Sequence, residues 1–262
     1  MENRVICLGV RGSLPVCRAD SIRYGGSTTC FAVRLAGELI LLDAGTGLAS
    51  LPEYLLPSDK TAALIMTHAH ADHLIGLPSL LAASKKGVNF TVYGRTRLGR
   101  TVREQINAYM TPPLWPVGMD IVAPGTRYAE LPDEMMIGDV KVETVEGIHP
   151  DGVSVIRLTG DGKSIVLMTD CTVCDENRER LAAFCRGCDL LLIDGQYSDE
   201  EWDGRESFGH NTYRAAAAFG RSCCAKQVRI IHHAPHRTDA EMDEAAKEIG
   251  CRFAGEGEVI AL

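Results

Sequence analysis

One stretch, residues 64–73 with the sequence LIMTHAHADH, constrains this chain more than any other. It overlaps a short apolar run, residues 62–66, which is typical of a strand buried in the middle of a sheet. Four potential metal ligands then follow within six positions: His68, His70, Asp72 and His73. Such a density is costly in an apolar core, because each imidazole or carboxylate would need its own polar partner. The stretch therefore predicts a metal site at a strand end rather than an ordinary polar turn.

The spacing of these ligands divides them between two ions. His68 and His70 lie two residues apart, so in extended backbone their side chains point the same way and can reach one ion. Asp72 and His73 come after the chain has turned, and Pro78 suits the first turn of the helix that follows. We therefore expect Asp72 and His73 to face a second ion. Neutral imidazole favours zinc, and the carboxylate also allows manganese or iron.

The composition is that of an ordinary globular chain. Its 262 residues, 45% hydrophobic and 24% charged, suffice for a single domain over residues 1–262. The net charge of −8 gives no basic field for a polyanion, so we expect a small substrate rather than long nucleic acid. The first residues lack the apolar core of a signal peptide, and no run approaches the roughly 18 residues of a membrane span. We therefore expect a cytoplasmic protein with no membrane partner.

Ten cysteines are dilute at this length, and a reducing cytosol would keep them as thiols. Two pairs with Cys-x-x-Cys spacing, Cys171/Cys174 and Cys185/Cys188, could in principle form one tetrahedral zinc site. However, residues 175–184 between them are predicted to form a helix. At about 1.5 Å per residue, such a helix holds the pairs roughly 16 Å apart. We therefore expect structural or incidental thiols.

The pattern His-x-His-x-Asp-His at the end of an apolar strand resembles the defining motif of the metallo-β-lactamase superfamily, in its two-metal hydrolase form. The resemblance extends over residues 9–239. It implies an α/β fold built as a four-layer αββα sandwich, with two sheets face to face, helices outside and the site at one edge where strand ends meet. Periodicity alone supports only a mixed α and β domain.

Later strand ends supply the further ligands that such enzymes need. His149 follows an alternating strand, and we assign it to the first ion. Asp170 follows a hairpin strand and matches the carboxylate that bridges both ions in the superfamily, although it could instead cap the next helix. For the second ion we choose His233 over His232, because His233 begins a His-x-x-His pattern that includes His236. The predicted sets are His68, His70, His149 and Asp170 for one ion, and Asp72, His73, His233 and Asp170 for the other.

Other residues are expected to support the chemistry. The motif Gly-His-Asn-Thr around His210 resembles the Gly-His-Ser-Thr motif of the ribonuclease Z and cyclic phosphodiesterase branch, which implies that His210 is a proton donor. Asp43 ends another strand, and we expect it to orient a metal-bound histidine rather than to bind metal. Ser27 and Thr28 lie in a glycine-rich loop that either turns a corner or lines the substrate's oxygens. His236 is a further candidate contact.

Residues 96–109 are predicted to form one helix, and a proline-rich segment around Trp115 follows it. This segment has three open interpretations. It could be a wall of the pocket, a contact in a homodimer, or a loop that packs on its own domain.

The predicted function is hydrolysis of a small phosphodiester, and the prediction includes cyclic phosphodiesters. The resemblance implies that two cations activate a water that attacks phosphorus, with Asp72 and His210 as catalytic residues and His210 protonating the departing alkoxide. Ribonuclease Z resembles this chain in its motifs, but it carries a long tRNA-binding arm between the ligands that match His149 and Asp170. Here that interval is only a hairpin. The alternatives are a ribonuclease Z-like endonuclease, a hydrolase of another ester, thioester or lactone, and a non-catalytic protein that binds a metabolite.

Overall fold

Two sheets of seven strands each form the centre of the protein, in a computed structural model that describes residues 2–262. The strands, in chain order, are β1 (Arg4–Gly9), β2 (Cys30–Leu35), β3 (Glu38–Leu42), β4 (Thr61–Ile65), β5 (Asn89–Gly94), β6 (Arg127–Glu130), β7 (Glu134–Ile137), β8 (Val140–Gly147), β9 (Val153–Gly160), β10 (Lys163–Met168), β11 (Leu190–Asp194), β12 (Gln227–Ile231), β13 (Arg252–Phe253) and β14 (Val259–Ala261). The first sheet has the order β14-β1-β2-β3-β4-β5-β6, and the second has the order β13-β12-β11-β10-β9-β8-β7.

The α-helices connect these strands, and most of them are short. They are α1 (Leu51–Tyr54), α2 (Ala71–Leu74), α3 (Leu80–Lys85), α4 (Val102–Tyr109), α5 (Met119–Val122), α6 (Arg178–Cys185), α7 (Tyr213–Ser222) and α8 (Asp239–Ile249). Helix α8 has 11 residues, and none of the helices between residues 2 and 262 has the length and apolar character needed to cross a membrane.

Three clusters of buried apolar side chains define the layers. One lies between the two sheets, where Phe31 of the first sheet and Leu167 of the second both belong to it. A second cluster joins the outer face of the first sheet, including Leu64, to helices such as α4 through Ile106. The third joins the outer face of the second sheet, including Leu191, to α6, α7 and α8. The order is helix, sheet, sheet, helix, which confirms the predicted αββα sandwich.

Parallel pairing brings several strand ends to one edge of the sandwich. Strands β3, β4 and β5 run parallel in the first sheet, and β10, β11 and β12 run parallel in the second. The two edges meet, because the backbone N–H of Ser154 donates to the carbonyl of Thr67 at 3.0 Å and that of His233 donates to the carbonyl of Val10 at 3.1 Å. The carboxyl ends of parallel strands are the usual place for a binding site in α/β folds.

The structure differs from the sequence-based expectation after β5. The predicted helix over residues 96–109 begins only at Val102, because Thr101 caps it by accepting the N–H of Glu104 while the Glu104 carboxylate accepts the N–H of Thr101. Residues before the cap form a tight turn instead. The proline-rich segment that follows packs on its own domain, since Trp115 lies against the core cluster of the first sheet.

The loop that carries the His-x-His-x-Asp-His motif packs closely on the end of β3. The N–H of Gly76 donates to the carbonyl of Ala44 at 2.8 Å, and a Cβ atom at Gly76 would collide with the carbonyl oxygen of Gly45. The absence of a side chain at residue 76 therefore lets the motif approach Asp43.

We expect Gly76→Ala to lower the free energy of unfolding by about 1–3 kcal/mol, because backbone atoms that cannot rotate away oppose the added methyl group. Denaturation in urea measures this change. Gly255→Ala is the matched control, since its nearest neighbour would lie 3.4 Å away. Equal effects of the two substitutions would contradict the close packing.

Candidate metal centre

Side chains from several strand ends form three adjoining groups at this edge. Within residues 2–262, the ligand atoms of each group lie within 4.8 Å of one another. We name them the outer group (His68, His70 and His149), the inner group (Asp72, His73, Asp170 and His232) and the acid–base group (Asp170, Asp194, His210 and His232). Asp170 and His232 belong to two groups, so the three form one continuous polar centre.

The inner group is buried and surrounds a single point. His73 Nε2 lies 3.2 Å from Asp170 Oδ2 and 3.3 Å from Asp72 Oδ2. His232 Nε2 lies 3.2 Å from Asp170 Oδ1 and 3.2 Å from Asp72 Oδ2. Two carboxylates and two imidazoles therefore converge as a set of four ligands of the kind that zinc binds.

The outer group lies directly beside the inner one. His149 Nε2 is 3.0 Å from His70 Nδ1, and the ring centroid of His68 is 4.9 Å from that of His149. The His68 and His73 centroids are 4.3 Å apart, which joins the two groups. Asp170 Oδ1 lies 3.8 Å from His149 Nε2, so the Asp170 carboxylate stands between both groups. This position allows it to bridge two cations.

The choice of His233 over His232 was wrong. His232 joins the inner group, whereas His233 is turned into the protein, where its Nε2 lies 2.8 Å from the carbonyl oxygen of Ala254. The His233 ring packs edge-on against Phe253 at 5.4 Å. Burial lowers the pKa of His233 to about 3, as expected for a neutral structural imidazole. Six of the seven predicted ligands come together, and His232 replaces the seventh.

Asp43 orients the histidines without belonging to any of the groups. Its Oδ2 lies 2.8 Å from His73 Nδ1, and its two oxygens accept the N–H and the hydroxyl of Thr67 at 2.7 and 2.8 Å. The Thr67 hydroxyl in turn lies 3.0 Å from His68 Nδ1. One buried carboxylate thus holds one nitrogen of His73 directly and one of His68 through Thr67, and it leaves Nε2 of each ring for the centre.

Those Nε2 atoms support a cation in the site. His68 Nε2 is buried and has no hydrogen-bond partner within residues 2–262, and buried His73 Nε2 faces two carboxylate oxygens at 3.2 and 3.3 Å. A buried polar atom without a partner costs about 1–3 kcal/mol, so a native site of this kind implies a missing partner. Imidazole nitrogens and carboxylate oxygens are together suited to divalent metal ions. The centre is therefore a site for divalent metal.

The pKa shifts differ in direction between the inner group and His149 of the outer group. Burial alone would lower the pKa of His73, but the facing carboxylates, led by Asp72 and Asp170, hold it well above its usual value. The same balance raises the pKa of His232 to about 10. In the outer group, burial lowers the pKa of His149 to about 4. Cations must therefore displace protons from His73 and His232, whereas the His149 imidazole is already neutral near pH 7.

The acid–base group places His210 next to the metal ligands. His210 Nδ1 lies 2.8 Å from Asp194 Oδ2, and the same carboxylate oxygen lies 3.2 Å from His232 Nδ1. The His210 ring stacks on that of His232 with centroids 4.9 Å apart. The preceding residue, Gly209, has φ +91°, and any Cβ there would overlap the ring of His149. The loop carrying His210 is thus pressed against the outer group.

A segment after β1, residues 11–13, also belongs to the centre, although no motif in the sequence marks it. The N–H of Ser13 donates to Asp72 Oδ2 at 2.7 Å, and Gln196 donates to the Ser13 hydroxyl at 2.9 Å. Arg11 is fully buried and donates to the carbonyls of Gly25 and Ala234 at 2.8 and 3.0 Å. Nothing in the local pattern distinguished Ser13, because its contact with Asp72 depends on tertiary structure.

Three predicted contacts lie outside the centre. The N–H and the hydroxyl of Ser27 donate hydrogen bonds to the carboxylate of Glu256, at 2.9 Å each. Thr28 is fully buried, and its hydroxyl accepts an N–H from the turn after β3 at 2.8 Å. His236 pairs with Glu201 on the surface at 2.7 Å. The loop at Ser27 and Thr28 therefore turns a corner, and these residues do not line the site.

We expect His232→Gln to lose the ion of the inner group and to retain that of the outer group, because it removes one of the four converging ligands. His233→Gln is the matched control, and it should keep full metal content. Elemental analysis of both variants after gel filtration measures the difference. Full metal content in His232→Gln, or loss in His233→Gln, would reverse the assignment.

We expect Asp43→Asn to weaken metal affinity roughly 10- to 100-fold, because an amide orients the His73 ring less firmly and makes it a weaker ligand. Competition with a chromophoric chelator measures this change. Asp133→Asn is the control at an exposed carboxylate, with a side chain 87% accessible. Circular dichroism of both variants separates loss of metal from loss of fold.

Comparison with known proteins agrees with this geometry. The family model of the β-lactamase superfamily domain matches residues 38–233. The ribonuclease Z of Treponema pallidum (strain Nichols) is 24% identical in an alignment that covers 84% of this chain and 85% of that protein.

Two solved structures share the fold at low identity. The metallo-β-lactamase fold protein YhfI from Bacillus subtilis superposes with a TM-score of 0.76 and 18% identity, covering 99% of each chain. A diphosphatase from the PhnP family has a TM-score of 0.71 and 19% identity, covering 100% of this chain and 99% of its own. Because the family model matches most of the chain, the chain belongs to the β-lactamase superfamily, and it is a metal-dependent hydrolase of that superfamily.

Proposed function

We propose that the protein is a phosphodiesterase that hydrolyses a small phosphodiester, and that the outer and inner groups would hold two zinc ions, with Asp170 available to both. The observation that carries this proposal is the Asp194–His210 pair beside the metal ligands. Hydrolysis of an alkyl phosphodiester needs a proton donor, because an alkoxide is a poor leaving group. A thioester hydrolase of the same fold gives no comparable reason for this pair, because a thiolate leaves without protonation.

The chain's own residues prepare the reaction. When bound, the two cations would lower the pKa of a water and neutralise charge on the phosphoryl oxygens. Asp43 and Thr67 fix the rings of His73 and His68, so the ligands require little reorganisation when charge develops. Burial of the inner group excludes bulk water from that side.

His210 is placed to protonate the leaving oxygen. Its Nδ1 is held by Asp194, which leaves Nε2 to face the substrate, and Nε2 makes none of the hydrogen bonds found within residues 2–262. As the bond from phosphorus to the leaving oxygen breaks, the proton on Nε2 passes to that oxygen. Asp194 holds Nδ1 at 2.8 Å and so fixes the ring orientation, as a carboxylate does in other acid–base pairs.

Two observations support a small substrate over a long RNA. The interval between His149 and Asp170 contains only the antiparallel β9–β10 pair and its turn, with no additional arm. The net charge of −8 gives no broad attraction to a polyanion. The relatives named ribonuclease Z make RNA cleavage the second candidate, and a direct comparison of substrates tests it.

The zinc-loaded protein should hydrolyse 2′,3′-cyclic nucleotides and bis(p-nitrophenyl) phosphate, and it should cleave precursor tRNA poorly. Dialysis against a chelator should abolish turnover, and added zinc should restore it. His68→Ala should be inactive. Full activity of metal-free protein would end the proposal, and efficient tRNA cleavage would select the ribonuclease.

We expect His210→Ala to lower kcat roughly a hundredfold or more on a 2′,3′-cyclic nucleotide, because the departing alkoxide loses its proton donor. The effect on a p-nitrophenyl ester should be small, since p-nitrophenolate leaves without protonation. His236→Ala, at a histidine with a 60% exposed side chain outside the centre, is the matched control. Equal losses on both substrates would show that His210 has another role.

A further inference from the structure

A tight turn at residues 97–100 stands beside the outer group. The backbones of Arg97 and Arg100 exchange two hydrogen bonds, at 3.0 and 2.9 Å. Between them, Leu98 and Gly99 have φ of +49° and +71°. Left-handed backbone at both central residues is the geometry of a two-residue hairpin turn. The turn therefore has one defined conformation.

The surroundings hold this turn in place. Arg97 Nη1 donates to Glu146 at 2.7 Å and Arg97 Nη2 donates to Ser154 at 3.1 Å, which fastens the turn to the second sheet. The side-chain amide of Gln105 donates to the carbonyl of Arg100 at 2.7 Å, which fastens it to helix α4. The turn is thus connected to the second sheet and to helix α4 at the mouth of the site.

The turn forms one wall of a cavity of about 450 Å³. His68 and His70 of the outer group line the same cavity, so it opens directly onto the metal centre. A volume of this size is within the range of sites for small organic ligands. The substituent of a phosphodiester bound at the metals would enter this cavity.

Two side chains of the turn lack partners within the protein. Leu98 is 78% exposed while lining the cavity, and Ala69 and Ala108 add apolar surface nearby. Arg100 also lines the cavity, and its guanidinium makes no hydrogen bond or ion pair with other described residues. The acidic residue of the cavity, Asp151, lies beside His70 at 3.9 Å. An apolar surface next to a free guanidinium suits a ring with an anionic group.

We propose that this cavity binds a nucleoside-sized substituent that carries a second phosphate, with Leu98 against the ring and Arg100 on the phosphate. This inference rests on the proposed phosphodiesterase function and specifies its substrate class. A guanidinium offers two parallel N–H donors to phosphate oxygens, which makes Arg100 a selective contact for that group. Leu98 and Arg100 would determine specificity and take no part in bond breaking.

Two matched substrates test the proposal. Thymidine 5′-(p-nitrophenyl phosphate), with and without a 3′-phosphate, has the same scissile bond and leaving group. The 3′-phosphate should lower KM about tenfold at unchanged kcat, which is the effect of one exposed charge-assisted contact. Arg100→Gln should remove this advantage. Arg103→Gln, an exposed arginine that does not line the cavity, should retain it.

A second variant tests the apolar contact. Leu98→Asn keeps a residue that tolerates left-handed backbone, so the turn should stay folded. It should raise KM for both thymidine esters and leave methyl p-nitrophenyl phosphate unaffected. Equal KM for the two thymidine esters in the unaltered enzyme, or an unchanged ratio in Arg100→Gln, would overturn the proposal.

Binding separates this inference from the proposed function. If no phosphodiester is turned over, the subsite can still be tested by binding. Equilibrium dialysis of the zinc-loaded protein compares thymidine 3′,5′-bisphosphate with thymidine 5′-monophosphate. Tighter binding of the bisphosphate, lost in Arg100→Gln, supports the subsite although the phosphodiesterase proposal fails. Equal binding of the two nucleotides overturns the subsite.

Discussion

The structure depends on the balance between buried carboxylates and the positive charge placed among them. Asp43 and Asp194 are fully buried, and Asp170 is 2% exposed, at an edge that also contains Asp72. Isolated carboxylates in such positions are strongly destabilising unless they are paired. The imidazoles of His73 and His232 partly balance them, which is why their pKa values are raised. Divalent cations would balance the same charge more completely, so fold stability and metal affinity are coupled at this centre.

Three residues of this arrangement have strained, left-handed backbone. Asp43, Asp170 and His232 each follow a strand end and have φ between +51° and +61°. Residues other than glycine avoid this region, and each such residue costs of the order of 1–3 kcal/mol unless its surroundings hold it there. Here the conformation turns the side chain back toward the neighbouring strand ends. Strained backbone at these three strand ends, in two different sheets, thus brings the carboxylates and imidazoles together at one point.

The sequence predicted the parts of this centre that depend on local spacing. The His-x-His-x-Asp-His motif, the buried strands and the αββα sandwich follow from periodicity and from the family resemblance. The error at His232 and His233 has a physical origin, because adjacent residues normally point to opposite sides and only the left-handed backbone at His232 decides which one faces the site. The contacts of Ser13 and Asp194 were not predictable either, since they join segments far apart in sequence. The importance of Ser27 and Thr28 as substrate contacts was overestimated, because the sequence of a hydroxyl-rich loop is the same whether its donors face a ligand or another loop.

The centre separates the groups that perform the reaction from those that contact the rest of the substrate. His210 is fixed by Asp194 on one side and by the close approach of Gly209 to His149 on the other. The proton donor and the outer group therefore cannot move independently, and a substitution in either would disturb both. The turn at residues 97–100 has no such link to the proton donor, because its anchors are Glu146, Ser154 and Gln105. Side chains at its tip can differ without altering the metal ligands, so substrate selectivity on this scaffold can change at the turn while the reaction stays the same.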